Sequence, residues 1–365
     1  MKAAVCRTFG EPLTIEEVDL APPGPGEIRV KLAACAICHS DIFFADGAWG
    51  GNLPAVYGHE AAGVVETVGP GVVNVSAGDH VVVTLIRSCG ECPACARGMQ
   101  VTCGASFPLD AASPLKTTGG EVLVQGLRTG GFAEYVTVDH SQAVAIPKDI
   151  PLDSASLLAC GVITGFGAVS NTAAIETGST VAVVGAGGVG LNSIQGAVLN
   201  GASMVIAIDI ADDKLAAAKT FGATHTINSL QADAAAEIRT LTGGTGVDYV
   251  FATVGVKQAI AQCFDCCAPG GAIVLVGMPP TGDMIDFDPG TVAALNQRVL
   301  GSKMGTARIQ ADIPWLVALY RQERLKLDEL ITGRYPLAQI NEAIASVKRG
   351  EALRNVIVFG DGAPS

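Results

Sequence analysis

The chain has 365 residues, 49% of them hydrophobic, yet no run of roughly twenty apolar residues passes without polar interruption, so no membrane-spanning helix is expected. Its N-terminus, MKAAVCRTFGEP, turns polar before an apolar signal region can form, which points to a cytoplasmic rather than a secreted protein. Basic residues are scarce. The 23 Lys and Arg face 35 Asp and Glu, for a net charge of -12, and phosphate binding needs a basic surface, so nucleic acid is excluded as the main partner. Eleven cysteines are an odd number in so long a chain, which speaks against a disulfide framework and for metal ligation or reduced thiols. There is no internal repeat and no low-complexity tract.

What is there divides into two textures, and the length also argues for two domains. Up to about residue 150, short Val/Ile/Thr runs such as EIRVKLAA, AAGVVETVG and DHVVVTLI alternate with Gly and Pro, the pattern of mostly β structure. Residues 104–130 show little periodicity and read as an extended surface loop. From about residue 154, four apolar strands (TVAVVGAG, MVIAIDI, YVFATVG, AIVLVGM) are spaced by Ala-rich amphipathic segments. That alternation predicts a parallel sheet with helices on both faces. A helix, IPWLVALYRQERL, and a closing strand, NVIVFG, follow.

Gly185, Gly187 and Gly190 form G-x-G-x-x-G between a strand and a helix, and Asp209 closes the next strand. Glycines let the backbone approach a pyrophosphate, and the helix N-terminus offers free N–H groups and a positive dipole. Asp209 can accept hydrogen bonds from a ribose and would repel a 2′-phosphate, so NAD is expected over NADP. Cys89, Cys92, Cys95 and Cys103 stand in the spacing C-x2-C-x2-C-x7-C. Four such thiolates can wrap one tetrahedral zinc with no open position, a structural site. An iron–sulfur cluster satisfies the same donors, while a nucleic-acid zinc finger fails on the acidic charge.

Cys38, His59 and Cys160 are far apart, and spacing alone does not join them. Taken singly, Cys160 in LLACGVITGFGA reads as a packed core cysteine, and Cys35 offers Cys38 a C-x2-C partner. A wider pattern does join them. GHEAAGVVETVGPGV at 58–72, the four-cysteine lobe, GFAEY at 131–135, ACGVITGFGA at 159–168 and GAGGVG at 185–190 resemble the zinc-containing medium-chain alcohol dehydrogenases, in the family's order and over essentially the whole chain.

That resemblance implies an α/β protein, with a Rossmann-type doubly wound parallel sheet at 162–304 inserted into a mostly β, GroES-like catalytic domain of residues 1–161 and 305–365. It implies two zinc ions per subunit, the catalytic one on Cys38, His59 and Cys160, with Asp41 and Glu60 behind those ligands. The coenzyme would meet Gly185, Gly187, Gly188, Val189 and Gly190, with Asp209 and Lys214 on the adenosine ribose and His39 and Arg354 towards the pyrophosphate. Thr164, Val276 and Met278 complete the implied coenzyme set. Asp41 would receive the second ring N–H of His59.

In the implied chemistry, a zinc with one open position makes a bound hydroxyl acidic near neutral pH, and Ser40 accepts the proton. Several family members carry a histidine three positions beyond that hydroxyl residue. Here the position is Phe43, so the proton is expected to leave through ribose hydroxyls and water, with help from His39. Trp49, Leu85, Phe107 and Met278 fall on pocket positions, and all are apolar, which implies a hydrophobic alcohol, aromatic or secondary. Trp49 and Phe107 read equally as ordinary core residues.

A dehydrogenase for a thiol-linked hydroxymethyl adduct is the nearest alternative, disfavoured by the absence of charge at Trp49 and Phe107. A catalytically silent zinc- and nucleotide-binding relative is the alternative of another class. Family members assemble as homodimers or homotetramers, and VLGSKMG is a candidate contact. Cys6, Cys35, Cys263, Cys266 and Cys267 are expected as buried thiols, and His80, His140 and His225 as structural or surface residues.

Overall fold

The computed structural model describes residues 1–360. Two compact units emerge: Met1–Cys160 with the chain from Arg308 onward, and Gly161–Ala307. The changeovers differ from the 161/162 and 304/305 boundaries expected from sequence. Gly305 lies so close under the helix Gly161–Gly167 that a Cβ there would meet the Ile163 and Thr164 carbonyls, so the turn after 304 stays with the inner unit.

The first unit holds strands β1 (Lys2–Cys6), β2 (Thr14–Leu20), β3 (Glu27–Ala36), β4 (Ala55–Val56), β5 (Glu60–Val68), β6 (His80–Val83), β7 (Leu115–Thr117), β8 (Val122–Gln125), β9 (Tyr135–Asp139) and β10 (Ala143–Ile146). Strands β1, β2, β7, β8 and β4 close into a barrel, which leaves no free edge. A second sheet runs β10-β6-β5-β3 and continues into the two strands that lie late in the chain, with β9 also pairing β3. Residues 104–130 are therefore not loop throughout. Strands β7 and β8 have three and four residues, too few to print an alternation, yet Leu115 and Leu123 are buried in the barrel core.

The inner unit holds β11 (Thr180–Val184), β12 (Met204–Asp209), β13 (His225–Asn228), β14 (Val247–Ala252), β15 (Cys267–Leu275) and β16 (Arg298–Gly301). They form one sheet in the order β13-β12-β11-β14-β15-β16, with all neighbours parallel. In β11 the residues Val181, Ala182, Val183 and Val184 are all buried, as a parallel strand covered on both faces requires. Four of these strands were legible as apolar runs. Strands β13 (HTIN) and β16 (RVLG) are short and half polar and left no such signal. Strand order reverses between β11 and β14, the point where such sheets place ligands.

Back in the first unit, β17 (Ile331–Pro336) and β18 (Arg354–Val358) complete the second sheet. The late helix spans Ile309–Arg321 rather than the expected 313–325. Asp312 caps its start by accepting the Arg308 N–H at 2.8 Å. Among the described residues no single helix is long and apolar enough to cross a membrane.

Candidate metal centres and coenzyme turn

Cys38 ends the extended run after β3, immediately before the helix His39–Ala45. One Asp41 oxygen accepts the Cys38 N–H at 3.1 Å and so starts that helix. The other accepts the Gly58 N–H at 2.9 Å and faces His59 Nδ1 at 2.9 Å. One buried carboxylate thus ties two segments 18 residues apart and fixes which ring nitrogen of His59 is left over. That nitrogen, Nε2, is buried without a hydrogen-bond partner. Such an orphan in a packed interior calls for an absent ligand. Cys160, which ends the 3-10 turn Leu157–Ala159, supplies the next donor.

The ligand atoms of Cys38, His59, Glu60 and Cys160 all lie within 4.8 Å of one another, and all four residues are buried. The hydrogen bond between the two sulfurs holds the Cys38 thiol well below its ordinary range and Cys160 well above. Burial disfavours a charged imidazole, but the Asp41 carboxylate overcomes it and keeps His59 well above its usual value. Two sulfurs sharing a proton beside an orphaned imidazole nitrogen are the donor set a zinc ion replaces protons in. The residues present fit the ion.

Sequence reading put Glu60 behind the ligands, whereas the structure brings its carboxylate among them. Burial pushes Glu60 up to about 7, against the pull of the Arg354 guanidinium, with which it forms an ion pair. Arg354 is buried in that pair at the start of β18. Glu60 opens β5, and β3 lies between those two strands. The only sequence signal for Glu60 was its place directly after His59.

Cys89, Cys92, Cys95 and Cys103 form a second group, their sulfurs likewise within 4.8 Å of one another. Backbone donors point at this sulfur cage: Cys92 N–H to Cys89 Sγ at 3.3 Å and Cys89 N–H to Cys103 Sγ at 3.4 Å. The Cys95 N–H pulls the Cys92 thiol down to about 6, while burial pushes Cys95 up to about 12. Four sulfurs with no other donor among them fit a closed structural zinc.

The glycine turn lies in the inner unit. Gly185 has φ +97°, which only glycine adopts without strain. A Cβ on Gly190 would strike the Gly185 carbonyl oxygen. Gly187 caps the helix Gly188–Leu199, and a Cβ there would meet nothing within 4 Å. The turn therefore opens above a helix N-terminus, a ready anion cradle. Asp209, at the end of β12, accepts the Ala186 N–H at 2.7 Å and those of Ile210 and Ala211 at 2.8 and 3.1 Å. Beside it a groove of about 860 Å³ is lined by Ile210, Ser229, Val256 and Gln258 among others. Lys214 is half-buried on the helix Asp212–Thr220, with no ion pair to Asp209 among the described residues. Val276 and Thr164 are buried, and Met278 is 61% exposed.

In the first unit, Ser40 is half-buried in the first turn of His39–Ala45, beside exposed His39. Phe43 stands edge-on to His39 at 6.4 Å and to Trp49 at 5.2 Å, so it is held by rings on two sides. Leu85 and Phe107 are half-buried. Cys6, Cys35, Cys263, Cys266 and Cys267 are buried free thiols, and Asp212 and Asp213 are exposed.

Comparison with known proteins agrees with this geometry. Residues 24–148 match the family model described as alcohol dehydrogenase GroES-like domain, and residues 188–321 match zinc-binding dehydrogenase. "Probable S-(hydroxymethyl)glutathione dehydrogenase 1" of Schizosaccharomyces pombe is 40% identical, over 98% of this chain and 96% of its own. An NDMA-dependent alcohol dehydrogenase of Amycolatopsis methanolica is 37% identical, over 98% of both chains. The crystal structure of benzyl alcohol dehydrogenase from Acinetobacter calcoaceticus superposes with a TM-score of 0.92 at 31% identity, covering 98% of this chain and 99% of that one. With two metal-fitting cysteine groups, a glycine turn on a parallel sheet and relatives matching end to end, the chain belongs to the zinc-dependent alcohol dehydrogenases of the medium-chain dehydrogenase superfamily.

Proposed function

We propose that this alcohol dehydrogenase is NAD-linked and interconverts a hydrophobic alcohol, aromatic or secondary, with its aldehyde or ketone. The observation that carries the reading is the buried group Cys38, His59, Glu60 and Cys160 with its orphaned His59 Nε2. Cys38, His59 and Cys160 would hold a catalytic zinc, and Cys89, Cys92, Cys95 and Cys103 a structural one. When bound, the catalytic ion supplies Lewis acidity that brings the pKa of a hydroxyl to about 7.

The chain's own residues do the rest. Asp41 orients His59, and Ser40 receives the alcohol's proton. Phe43 has nothing to titrate and cannot take the proton on from Ser40; a bound coenzyme would supply ribose hydroxyls for that path, and His39 is the titratable ring on the same helix. The glycine turn takes the pyrophosphate, and Asp209 with Lys214 the adenosine ribose. Thr164, Val276 and Met278 would give further coenzyme contacts, and the family resemblance assigns His39 and Arg354 to the pyrophosphate, although Arg354 is buried against Glu60. The Asp209 carboxylate, bonded to the glycine turn at the Ala186 N–H, supports NAD, since it would repel a 2′-phosphate. Trp49, Leu85 and Phe107 give the substrate apolar surface. The enzyme works as a homo-oligomer in this reading, which is supported by β16 ending its sheet with Val299 42% exposed.

A screen of aliphatic, aromatic and secondary alcohols with NAD and with NADP, followed by coenzyme reduction, tests this. Activity with NAD, abolished in Cys38→Ala, is the expected result, and equal or better rates with NADP overturn the coenzyme assignment. The name of the fission-yeast relative favours a second reading, oxidation of a thiol–formaldehyde adduct. Reduction of NAD only when formaldehyde and a thiol carrier are supplied together would establish that reading instead.

A further inference from the structure

Arg87 interrupts the apolar run VVVTLIRSCG two residues after Leu85 and two before Cys89, and it is only 2% exposed. Its guanidinium makes three diverging hydrogen bonds: Nε to Gln142 Oε1 at 2.8 Å, Nη1 to Asp110 Oδ1 at 3.0 Å and Nη2 to the Arg128 carbonyl at 3.2 Å. The Phe107 ring centroid lies 5.5 Å from the guanidinium carbon. Asp110 uses its other oxygen to accept the Phe107 N–H at 3.1 Å. The position of Phe107 is thus set twice, by the ring on the cation and by the backbone bond to a carboxylate that the same cation holds.

The opposite side of the cation is strained. Leu127 and Arg128 both have positive φ, +51° and +59°, a costly conformation for residues with a Cβ. The Arg128 carbonyl is fixed by Arg87 and, at 3.1 Å, by Gln142, whose amide also donates to the Thr84 carbonyl at 2.8 Å. A buried guanidinium costs desolvation, and an apolar side chain of similar volume fills such a space at no loss of stability in many proteins. An apolar side chain cannot hold a carboxylate and a carbonyl in fixed directions, which Arg's planar fork does.

We propose that Arg87 is a positioning residue for substrate choice: it locks the turn 107–110 and the bend at 127–128, and so places Phe107 against the alcohol. This rests on the reading of Phe107 as a pocket residue. Cys103 lies four positions before Phe107 and Cys89 two after Arg87, so the clamp also joins both ends of the cysteine lobe to that pocket wall.

The test compares wild type with Arg87→Met, Arg87→Lys, Asp110→Asn and Phe107→Ala. Zinc per subunit and thermal unfolding are measured beside kcat and KM for a short aliphatic and a bulky aromatic alcohol. With both zincs retained, Arg87→Met is expected to raise KM for the bulky alcohol roughly tenfold, the scale of a lost pocket contact, while kcat for the short alcohol stays within about twofold. Arg87→Lys should not restore KM, because a point charge cannot make the three bonds. Asp110→Asn should shift KM in the same direction, which keeps the question open to measurement if Arg87→Met fails to fold. A change in Phe107→Ala without one in the Arg87 and Asp110 variants overturns the positioning role alone. No change in Phe107→Ala overturns both the pocket reading and the proposal. Parallel loss of zinc and of activity towards both alcohols also overturns it, leaving Arg87 a support of the lobe only.

Discussion

Asp41 Oδ1 stands 2.9 Å from His59 Nδ1 and takes the Gly58 N–H at the same distance, so the imidazole and the backbone before it share one anchor. A carboxylate behind a metal-bound histidine sets its tautomer and raises its basicity. Asp41→Asn keeps the shape and loses the charge. Zinc affinity at the Cys38 group is expected to fall about 10- to 100-fold, read by competition with a chromogenic chelator. Unchanged retention would remove Asp41 from the metal site.

Glu60 and Arg354 form a buried pair, and removing one partner leaves a charge with nothing to offset it. Arg354→Leu is expected to cost on the order of 3–5 kcal/mol in urea unfolding, part of it recovered in the Glu60→Gln, Arg354→Leu double variant. The pH dependence has a definite sign. Burial already raises Glu60 from 4.5 to about 7, so between those values the folded chain binds more protons there than the unfolded one. That contribution to stability falls as pH rises. Without Arg354 the carboxyl rises further, and the cost of the substitution should grow from pH 5 to pH 9. A cost that shrinks with pH would contradict this account.

Two glycines of the coenzyme turn should behave differently. Gly190→Ala drives a Cβ into the Gly185 carbonyl, and a loss of about 1–3 kcal/mol of stability is expected from the overpacking. Gly187→Ala meets nothing within 4 Å, so thermal unfolding should hardly move. Its methyl group occupies the space the phosphates need, and NAD binding, followed by fluorescence titration, should weaken. If Gly187→Ala bound NAD as well as wild type, the cradle would lie elsewhere.

Phe43→His puts a titratable ring three positions beyond Ser40. If the proton path is short of a relay, the alcohol-oxidation rate should gain a pH-dependent limb near neutrality, where an imidazole titrates. The 5.2 Å edge contact with Trp49 would be weakened at a cost of about 0.5–1.5 kcal/mol. An identical pH–rate profile in the two enzymes would show that the relay was never truncated.

Much of the site could be read before any fold was seen, but unevenly. Gly185, Gly187 and Gly190 lie on one strand-turn-helix, and the four lobe cysteines lie within fifteen residues, so their chemistry is local and prints itself in spacing. Cys38, His59 and Cys160 converge only because β3, β5 and a 3-10 turn are brought together, and a whole-chain resemblance was needed to join them. Glu60 is expected behind the ligands rather than among them, because it opens β5 while His59 precedes the strand, so the alternation of side chains along a strand gives no guide to where the pair points. Arg354 was read only as a coenzyme contact. Its partner comes from two strands away, across β3, and no local pattern records that. Strands β7, β8, β13 and β16 were missed for a simpler reason, being too short or too polar to show a period.

The bond from the Ala186 N–H to Asp209 bears on how coenzyme preference could be redesigned. On the proposed NAD reading, an engineer seeking to use the phosphorylated coenzyme would first replace Asp209. That same carboxylate fastens the glycine turn to the end of β12 and caps the chain at Ile210 and Ala211. A single exchange there would loosen the phosphate cradle while it admitted the extra phosphate. A better starting library keeps Asp209 and varies Ile210, Ala211 and Lys214, or pairs an exchange at 209 with a side chain that again accepts the Ala186 N–H.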